Sequence, residues 1–468
     1  MKYISTRGTA PVLDFEDTLL AGLATDGGLY VPESWPSLSR ETLASFKNKS
    51  YAEVAYEVLQ PFIGGTPDNN RFRDILEEAY QAFEVPEVAP LVPLGGQHYL
   101  LELFHGPTLA FKDVAMQLLA RLMDEALSRR GRRATIIGAT SGDTGGAAIE
   151  AFRGRENIDI FILYPDGRVS DVQRKQMTTP TDANVHTLAI DGTFDDCQAL
   201  VKAMFNDAAF RQETGLAGVN SINWARVMAQ TVYYFTAAAQ LGGPEKEIAF
   251  SVPTGNFGDI FAGYVAKQMG LPIAQLMIAT NINDILARVL QTGIYEIGDV
   301  VASTSPSMDI QVSSNFERLL FEATGRNAEE VCRLMGELAE TRKFSLSPEV
   351  LDVIRAGFAA ERVDEVETAK IIKTMFEADK MLLDPHTAVG YGAAMRSDLP
   401  ATTPIVTLAT AHPAKFPASV EKACHRPAVD IISTPQRVQD MMHQEEHFVS
   451  LANSLSDIQD FIRHKQTP

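Results

Sequence analysis

The chain has 468 residues, more than one hydrophobic core usually supports, so the sequence predicts two or three domains. Hydrophobic residues make up 45% of it and charged residues 22%, which is typical of a soluble globular protein. The formal net charge of -19 argues against general binding to nucleic acid or to an anionic membrane, so an anionic substrate would need a local positive pocket.

The cysteine pattern and the N-terminal residues indicate the compartment. Cys197, Cys332 and Cys424 are far apart and form no CxxC pair, which argues against a disulfide framework or a thiolate zinc site. The start "MKYISTRGTAPVLDFED" lacks the apolar core of a signal peptide, and no apolar run is long enough to span a bilayer. We therefore expect a cytoplasmic protein that does not associate with membranes.

The first part of the chain, residues 1–90, mixes helical periodicity with turns such as "DGGLYVPE" and "IGGTPDNN". This mixture predicts an N-terminal α+β domain. The segment "FEVPEVAPLVPLGG" is rich in proline and predicts a domain boundary near residue 90.

The next two elements are a strand, "YLLELF", and an amphipathic helix, "LAFKDVAMQLLARLMDEALSRR". The run "SRRGRR" ends this helix. Its arginines could form a phosphate patch, but they are better explained as cations that stabilise the helix C-terminus, with Gly131 as the C-cap.

Strands and helices then alternate along the chain. "RATIIGATSGDTGGAAIEAF" and "KEIAFSVPTGNFGDIFAGYVAKQMG" each read as a strand, a glycine-rich turn and a helix, while "DIFILYP" and "TPIVTLATAHPAKFP" supply further strands. This order predicts an α/β protein of parallel βαβ units with helices on both sheet faces. We expect one unit over residues 91–245 and a larger one over 246–468, in which residues 315–380 and 435–468 are mainly helical.

Lys112 lies at an unusual place in "HGPTLAFKDVAMQ", where a polar turn enters the predicted helix. The N–H groups at a helix start already make that region positive, so the site disfavours a cation. A long side chain that reaches water would explain such a lysine. The alternative is a lysine held in its neutral form, which is the nucleophile that condenses with an aldehyde.

Three loops leave the carboxyl ends of predicted strands, where ligands bind in open α/β sheets. The 255–258 loop, "GNFG", lacks the P-loop and dinucleotide patterns but offers backbone N–H groups to a phosphate. The 139–146 loop, "ATSGDTGG", suits a carboxylate or a second phosphate, and Thr410 places a hydroxyl at a strand end. Each feature also has an ordinary explanation. The 255–258 loop could be a tight βα turn, the 139–146 loop could supply a helix N-cap, and Thr410 could be an ordinary turn residue.

Taken together, these features match one cofactor. Pyridoxal phosphate has an aldehyde, a phosphate and a ring nitrogen, and Lys112, the 255–258 loop and Thr410 would serve one group each.

Seven segments make the chain similar to a known family. In chain order they are "KYISTRG", "DGGLYVP", "HGPTLAFKD", "ATSGDTGG", "NSINWARVMAQ", "VPTGNFGDIFAGY" and "TAHPAKFP", which span residues 2 to 417. Their order and spacing resemble the threonine synthase family of pyridoxal-phosphate enzymes. The resemblance implies fold type II, the tryptophan-synthase-β-like fold, with two open, mostly parallel-sheet domains. It also implies conversion of O-phospho-L-homoserine and water to L-threonine and phosphate.

The resemblance further implies roles for individual residues. Lys112 would bind pyridoxal phosphate through a Schiff base, and its freed amine would then move protons at Cα and Cβ of the substrate. The cofactor would also contact a set of residues comprising Gly255, Asn256, Phe257, Gly258, Thr410 and Asp143. The substrate carboxylate would contact Thr140, Ser141, Gly142 and Thr144, and the substrate phosphate would contact Ser221, Asn223 and Arg226.

Two of these residues have a competing explanation. Many enzymes of the wider fold have Asn at the position of Asp143, near the 3′ oxygen of the cofactor, where an ionised carboxylate would be repulsive. We therefore expect Asp143 either to be protonated or to point away and cap the helix. For Arg226 the alternative is an ordinary solvated helix residue, whereas a guanidinium suits a leaving phosphate.

Two rival functions remain open at this point. "HQEEH", residues 443–447, fits the inverted zinc motif H-x-x-E-H if it lies on a helix, although a solvated face of an acidic helix is the simpler reading. A serine or threonine dehydratase of the same fold would share the cofactor loops, but it needs no second phosphate site and therefore no Arg226. We expect no metal site.

Overall fold

The computed structural model describes residues 1–140 and 142–466, which include every predicted site residue except Ser141. The strands of the described residues are β1 (Tyr3–Ser5), β2 (Tyr30–Pro32), β3 (Leu91–Gly95), β4 (His98–Glu102), β5 (Ala134–Ala139), β6 (Ile158–Pro165), β7 (Val185–Ile190), β8 (Leu216–Ala217), β9 (Ile248–Pro253), β10 (Ile273–Thr280), β11 (Ile294–Glu296), β12 (Lys343–Ser345), β13 (Phe358–Arg362), β14 (Ile405–Ala409) and β15 (Val449–Leu451).

The helices in the same order are α1 (Phe15–Ala21), α2 (Arg40–Ser45), α3 (Tyr51–Ile63), α4 (Asn69–Tyr80), α5 (Lys112–Arg130), α6 (Asp143–Phe152), α7 (Asp171–Thr178), α8 (Phe194–Asn206), α9 (Ala208–Thr214), α10 (Trp224–Gln240), α11 (Gly258–Gln268), α12 (Ile285–Thr292), α13 (Phe316–Ala323), α14 (Ala328–Thr341), α15 (Pro348–Arg355), α16 (Glu365–Asp379), α17 (Pro385–Ala394), α18 (Pro417–Cys424), α19 (Ala428–Ile431), α20 (Gln436–Met442) and α21 (Leu455–Lys465). Short 3-10 turns cover Phe46–Asn48, Pro306–Met308 and Pro413–Lys415.

Two large sheets form the framework. The six-stranded sheet has the order β13-β10-β9-β14-β4-β3 and is parallel except for its edge strand β3. The five-stranded sheet has the order β15-β7-β6-β5-β8 and is parallel throughout. This architecture confirms the predicted α/β class with two open, mostly parallel sheets.

Both faces of the five-stranded sheet are buried, because alternate residues of its strands pack into cores on opposite sides. In β5, Ile136 belongs to the main core, whereas its neighbour Ile137 packs with Leu200 of α8 and Ile458 of α21. Successive side chains of a strand point to opposite faces, so this division requires apolar helices on both sides of the sheet.

The two large sheets do not coincide with the predicted units over residues 91–245 and 246–468. Strands β3 and β4 follow residue 90 but pair in the six-stranded sheet, and β15 lies near the C-terminus but pairs with β7 of the five-stranded sheet. Proline content and chain order, on which this division rests, carry no information on strand pairing.

Helix α5 ends as predicted but is not amphipathic. Gly131 adopts φ +58° as its C-cap, and Arg129 and Arg130 form ion pairs with Glu16 and Asp17 of α1. Side chains on nearly all sides of α5 are buried from its first residue to Leu127, including polar ones, because the helix packs against α4, α6 and α10. It is a central helix of the core.

The N-terminal segment packs onto this core through α10. Asn223 caps α10 and its amide donates to Leu19 O of α1 at 2.9 Å, while the Trp224 ring lies 6.1 Å from that of Tyr3 in β1. Among the described residues, no helix is both long enough and apolar enough to cross a membrane.

Candidate active site

A cavity of about 800 Å³ lies where strands of both large sheets end. The loops after β5, β9 and β14 line it, together with the start of α5. The carboxyl ends of parallel strands are the usual ligand-binding edge of an α/β sheet. Of the predicted residues, the cavity brings together Lys112, Thr140, Asp143, Thr144, Ser221, Arg226, Gly255, Asn256, Phe257, Gly258 and Thr410.

Lys112 is the first residue of α5, and its side chain is buried in this cavity. It therefore does not reach water, which excludes the simple solvent-seeking explanation. Burial lowers the pKa of Lys112, the positive charges of Lys415 and Arg226 lower it further, and Asp143 opposes them. The site thus favours the neutral amine that the helix position predicts.

The turn before Lys112 is fixed to the end of β14. The N–H of Phe111 donates to Thr410 O at 2.9 Å, and the N–H of His412 donates to Leu109 O at 3.0 Å. These two hydrogen bonds join the backbone at the start of α5 to the backbone around Thr410, so the two segments are placed together.

The backbone of the 255–258 loop is held from outside the cavity. Gly255 O accepts from Ser313 Oγ at 2.7 Å, and Asn256 O accepts from the amide of Asn315 at 2.8 Å. Phe257 adopts a left-handed φ of +65° and buries its ring between aromatic neighbours. The carbonyls are thus bound on one side, and the free N–H groups at the start of α11 are available to a phosphate.

A glycine is required at position 255 because of close packing, and not because of a positive φ angle. A Cβ atom at this position would lie 2.7 Å from Ser307 O, which no side chain can avoid. The N–H groups at the start of α11 suit a phosphate, and Lys112 in the same cavity suits an aldehyde, so the residues present fit pyridoxal phosphate.

In the 139–146 loop, the predicted capping is carried out by Thr140. Its Oγ1 accepts from the N–H groups of Gly142 at 2.9 Å and Gly145 at 3.0 Å. Thr144 lines the cavity, Gly142 packs against Gln173, and Ser141 lies outside the described residues.

Both expectations for Asp143 are wrong. Its carboxylate is buried and faces Lys112, with Oδ2 at 3.5 Å from Nζ, instead of pointing away. Burial opposes ionisation, but the charge of Lys415 outweighs it and holds the pKa of Asp143 well below its usual range. Asp143 is therefore ionised, and the reason is Lys415, whose Nζ lies 2.9 Å from Oδ1.

Arg226 is buried and is not a solvated helix residue. Only 4% of it is exposed, its Nη1 donates to Val219 O at 3.2 Å, and its Nε has no partner within the described part of the chain. Burial lowers the pKa of Arg226 to about 10, and no ion pair is formed by it among the described residues. A buried guanidinium without a counterion calls for an anion from outside the chain.

Of the two neighbours predicted to join Arg226, one lines the cavity and one does not. Ser221 lines it. The side chain of Asn223 caps α10 through Ala225 N–H and donates to Leu19 O, so both of its polar ends are occupied outside the cavity. The predicted substrate contact of Asn223 is therefore wrong, because its side chain serves helix capping and attachment of the N-terminal segment.

Sequence reasoning missed several residues of the cavity. His386 Nε2 accepts from the Ser307 N–H at 3.3 Å, so its Nδ1 carries the proton and donates to Asp384 at 2.8 Å. Lys415 is not among the residues that line the cavity, but its Nζ lies 2.9 Å from Oδ1 of Asp143. The sequence offers one signal for it, which is its place in "TAHPAKFP" beside a strand-end loop.

Asp259, also missed, lines the cavity directly after the 255–258 loop. It accepts hydrogen bonds from the hydroxyls of Tyr233 and Tyr234, and its Oδ2 has no partner within the described residues. Burial raises the pKa of Asp259 to about 7, although the two hydrogen bonds oppose this shift.

Asp259→Asn is expected to stabilise the protein more at pH 8 than at pH 5. Below pH 7 the folded carboxyl keeps a proton that the unfolded chain releases. The free energy of unfolding of the wild type therefore falls as pH rises towards 7, and above pH 7 Asp259 causes no further loss. Over this interval the gain should grow by about 3 kcal/mol, since one pKa unit is worth about 1.4 kcal/mol. Thermal unfolding at both pH values measures it, with exposed Asp352→Asn as control. An equal gain at both values would contradict the assignment.

The "HQEEH" segment does not form the helix that a zinc motif needs. Helix α20 ends at Met442, and the segment follows it as irregular chain. Glu446 forms ion pairs with Arg174 and Lys175 instead. Across residues 1–140 and 142–466, no cluster of three His, Cys, Asp or Glu side chains could hold a metal ion.

Comparisons with known proteins cover nearly the whole chain. Three family models match it: "Threonine synthase N terminus" over residues 2–80, "Pyridoxal-phosphate dependent enzyme" over 86–351 and "Threonine synthase, C-terminal" over 387–462. The models at both ends favour this family over the dehydratase alternative.

Individual relatives agree with these models. The chain is 52% identical over 462 residues to threonine synthase of Pseudomonas aeruginosa, covering 99% of this chain and 98% of that protein. The crystal structure of PLP-bound threonine synthase from Brucella melitensis matches with a TM-score of 0.98 and 56% identity over 100% of both chains. That of Escherichia coli threonine synthase matches with a TM-score of 0.81 and 32% identity, again over 100% of both chains. The chain belongs to the threonine synthase family of pyridoxal-phosphate-dependent enzymes.

Proposed function

We propose that this chain converts O-phospho-L-homoserine and water to L-threonine and phosphate. The observation that carries the proposal is Arg226, a buried cation in the same cavity as Lys112 that forms no ion pair within residues 1–140 and 142–466. A phosphorylated amino acid would fill both needs, since it brings an amino group to the cofactor and an anion to Arg226.

When bound, pyridoxal phosphate supplies an aldehyde that condenses with amino groups and a ring that accepts electrons from the adjacent carbon. In our proposal the N–H groups of the 255–258 loop hold its phosphate, the hydroxyl of Thr410 hydrogen-bonds its ring nitrogen, and Lys112 binds its aldehyde. A neutral hydroxyl leaves the ring nitrogen unprotonated, so proton placement by Lys112 carries more of the selectivity.

The substrate is held at two ends. The 139–146 loop holds its carboxylate through Thr140 and Thr144, which line the cavity at the N-terminus of α6. The N–H of Gly142 is bound to Thr140 instead, and Ser141 lies outside the described residues. Arg226 and Ser221 hold its phosphate, where negative charge builds up as the leaving group departs from Cγ. Between them, the neutral amine of Lys112 moves protons at Cα and then at Cβ.

The direct test is phosphate release from O-phospho-L-homoserine with identification of the amino-acid product. We expect stoichiometric phosphate and L-threonine. Phosphate release accompanied by a keto acid and ammonia would contradict the proposed reaction, although not the use of the cofactor.

We further propose that the protein works in the cytoplasm. The wide spacing of its three cysteines and the acidic charge of the chain support this, and neither a nucleic acid nor a membrane belongs to the proposed activity. Fractionation of cells that express the chain would test the location.

A further inference from the structure

Two buried lysines face one carboxylate in the cavity. Asp143 Oδ1 lies 2.9 Å from Lys415 Nζ, and its Oδ2 lies 3.5 Å from Lys112 Nζ. The side chain of Lys415 is completely buried, and its Nζ also donates to Thr108 O at 2.7 Å. Asp143 accepts a further hydrogen bond from Gln173 at 2.9 Å. The closer and better bonded partner of the carboxylate is therefore Lys415.

We propose that Lys415 is a positioning residue for the reaction, because it engages the Asp143 carboxylate as an ion pair and thereby leaves the amine of Lys112 neutral. The inference rests on the proposed function, in which Lys112 needs a neutral amine. It also explains why an aspartate is compatible with a site where a lone carboxylate would be repulsive: the second lysine compensates its charge.

The charges around Lys112 support this division of roles. Asp143 is the negative group closest to the amine, and Lys415 and Arg226 are the neighbouring cations that disfavour its ammonium form. On α5 itself, Asp113 is bound to Thr108 through both carboxylate oxygens. The other titratable groups that line the cavity are Asp195, Asp259, Asp309 and His386.

Removal of Lys415 would leave Lys112 as the cation paired with Asp143. An unpaired buried carboxylate is strongly unfavourable, so it would attract and hold the ammonium form of Lys112. An ammonium can neither condense with an aldehyde nor accept a proton. Lys415 thus acts on the reaction through Asp143 and Lys112.

A purely structural role for Lys415 is the alternative. Its bond to Thr108 O supports the turn before α5, but Gln176 also donates to that carbonyl at 3.1 Å. The turn therefore keeps a donor when Lys415 is replaced. Because a structural defect would not be repaired by removing the charge of Asp143, a double variant separates the two explanations.

The experiment follows the rate at which pyridoxal phosphate binds covalently to the full-length protein stripped of cofactor, as a function of pH. The rate rises with the neutral fraction of Lys112, so its midpoint reports the pKa of that amine. We expect Lys415→Met to raise the midpoint by about one unit or more, as for loss of a charge at this distance. At neutral pH this slows binding about tenfold.

The companion variants fix the interpretation. Asp143→Asn should lower the midpoint, and Asp143→Asn combined with Lys415→Met should return it to near the wild-type value. Lys422→Met, an exposed lysine on α18, is the matched control and should leave the midpoint unchanged.

An unchanged midpoint in Lys415→Met, or a raised midpoint that the double variant fails to restore, overturns the proposal. If Lys415→Met does not fold, Lys415→Gln decides, because it offers a donor to Thr108 O without the charge: a raised midpoint supports the proposal and an unchanged one overturns it. Failure of the proposed function would look different: phosphate release with a keto acid and ammonia in place of L-threonine would contradict the function and would leave these midpoints unchanged.

Discussion

Replacement of Lys112 by alanine is expected to abolish turnover while the fold survives. Alanine can neither bind the aldehyde nor move protons, and loss of the acid–base function alone costs about 100- to 10,000-fold. The fold should persist, because Asp143 keeps its ion pair with Lys415. Steady-state phosphate release measures the loss, and circular dichroism with thermal unfolding measures the fold.

The covalent bond itself provides a second readout. Borohydride treatment of the wild-type protein should fix pyridoxal phosphate on the peptide that contains Lys112, and treatment of Lys112→Ala should fix none there. Lys202→Ala, an exposed replacement on α8, should behave like the wild type. A stable label on any other lysine would refute the role of Lys112, as would a wild-type protein that cannot be reconstituted with the cofactor.

Arg226→Ala should reduce kcat/KM for O-phospho-L-homoserine by about 100-fold or more, because the phosphate loses charge-assisted hydrogen bonds worth about 1.5–3 kcal/mol each. The affinity for pyridoxal phosphate should change much less, since that phosphate is assigned to the 255–258 loop. Substrate kinetics and titration with the cofactor give the two quantities.

Two further variants calibrate this loss. Arg226→Lys keeps a positive charge but loses the two-pronged geometry, so its defect should be intermediate. Arg211→Ala, on the exposed side of α9, should have no effect. Inorganic phosphate should inhibit the wild type by competition and should lose this effect in Arg226→Ala. Equal losses of substrate and cofactor binding in Arg226→Ala would count against the assignment.

The sequence predicted the local elements well where strand, turn and helix follow one another directly. The unit over residues 248–268 is one example, since an apolar strand, a loop with two glycines and an apolar helix can be recognised from neighbouring residues alone. The position of Lys112 at a helix start was predictable for the same reason.

Features that depend on packing between distant segments could not be predicted. The burial of α5 on nearly all sides requires partners from other parts of the chain, and the pairing of β15 with β7 joins strands far apart in sequence. The ion pair between Asp143 and Lys415 is of the same kind, so the sequence does not predict that Asp143 is ionised. The direction of the Asn223 side chain could not be predicted from the sequence either, because an asparagine can bind a phosphate or cap a helix.

The strand order also bears on how the two sheets are connected. The chain passes from the six-stranded to the five-stranded sheet through α5, returns through α10, and crosses again between β14 and β15. Lys112 and Arg226 lie at the beginnings of the first two crossing helices. The separation of the amine and the guanidinium is therefore set by the placement of the two sheets relative to each other, and not by either sheet alone.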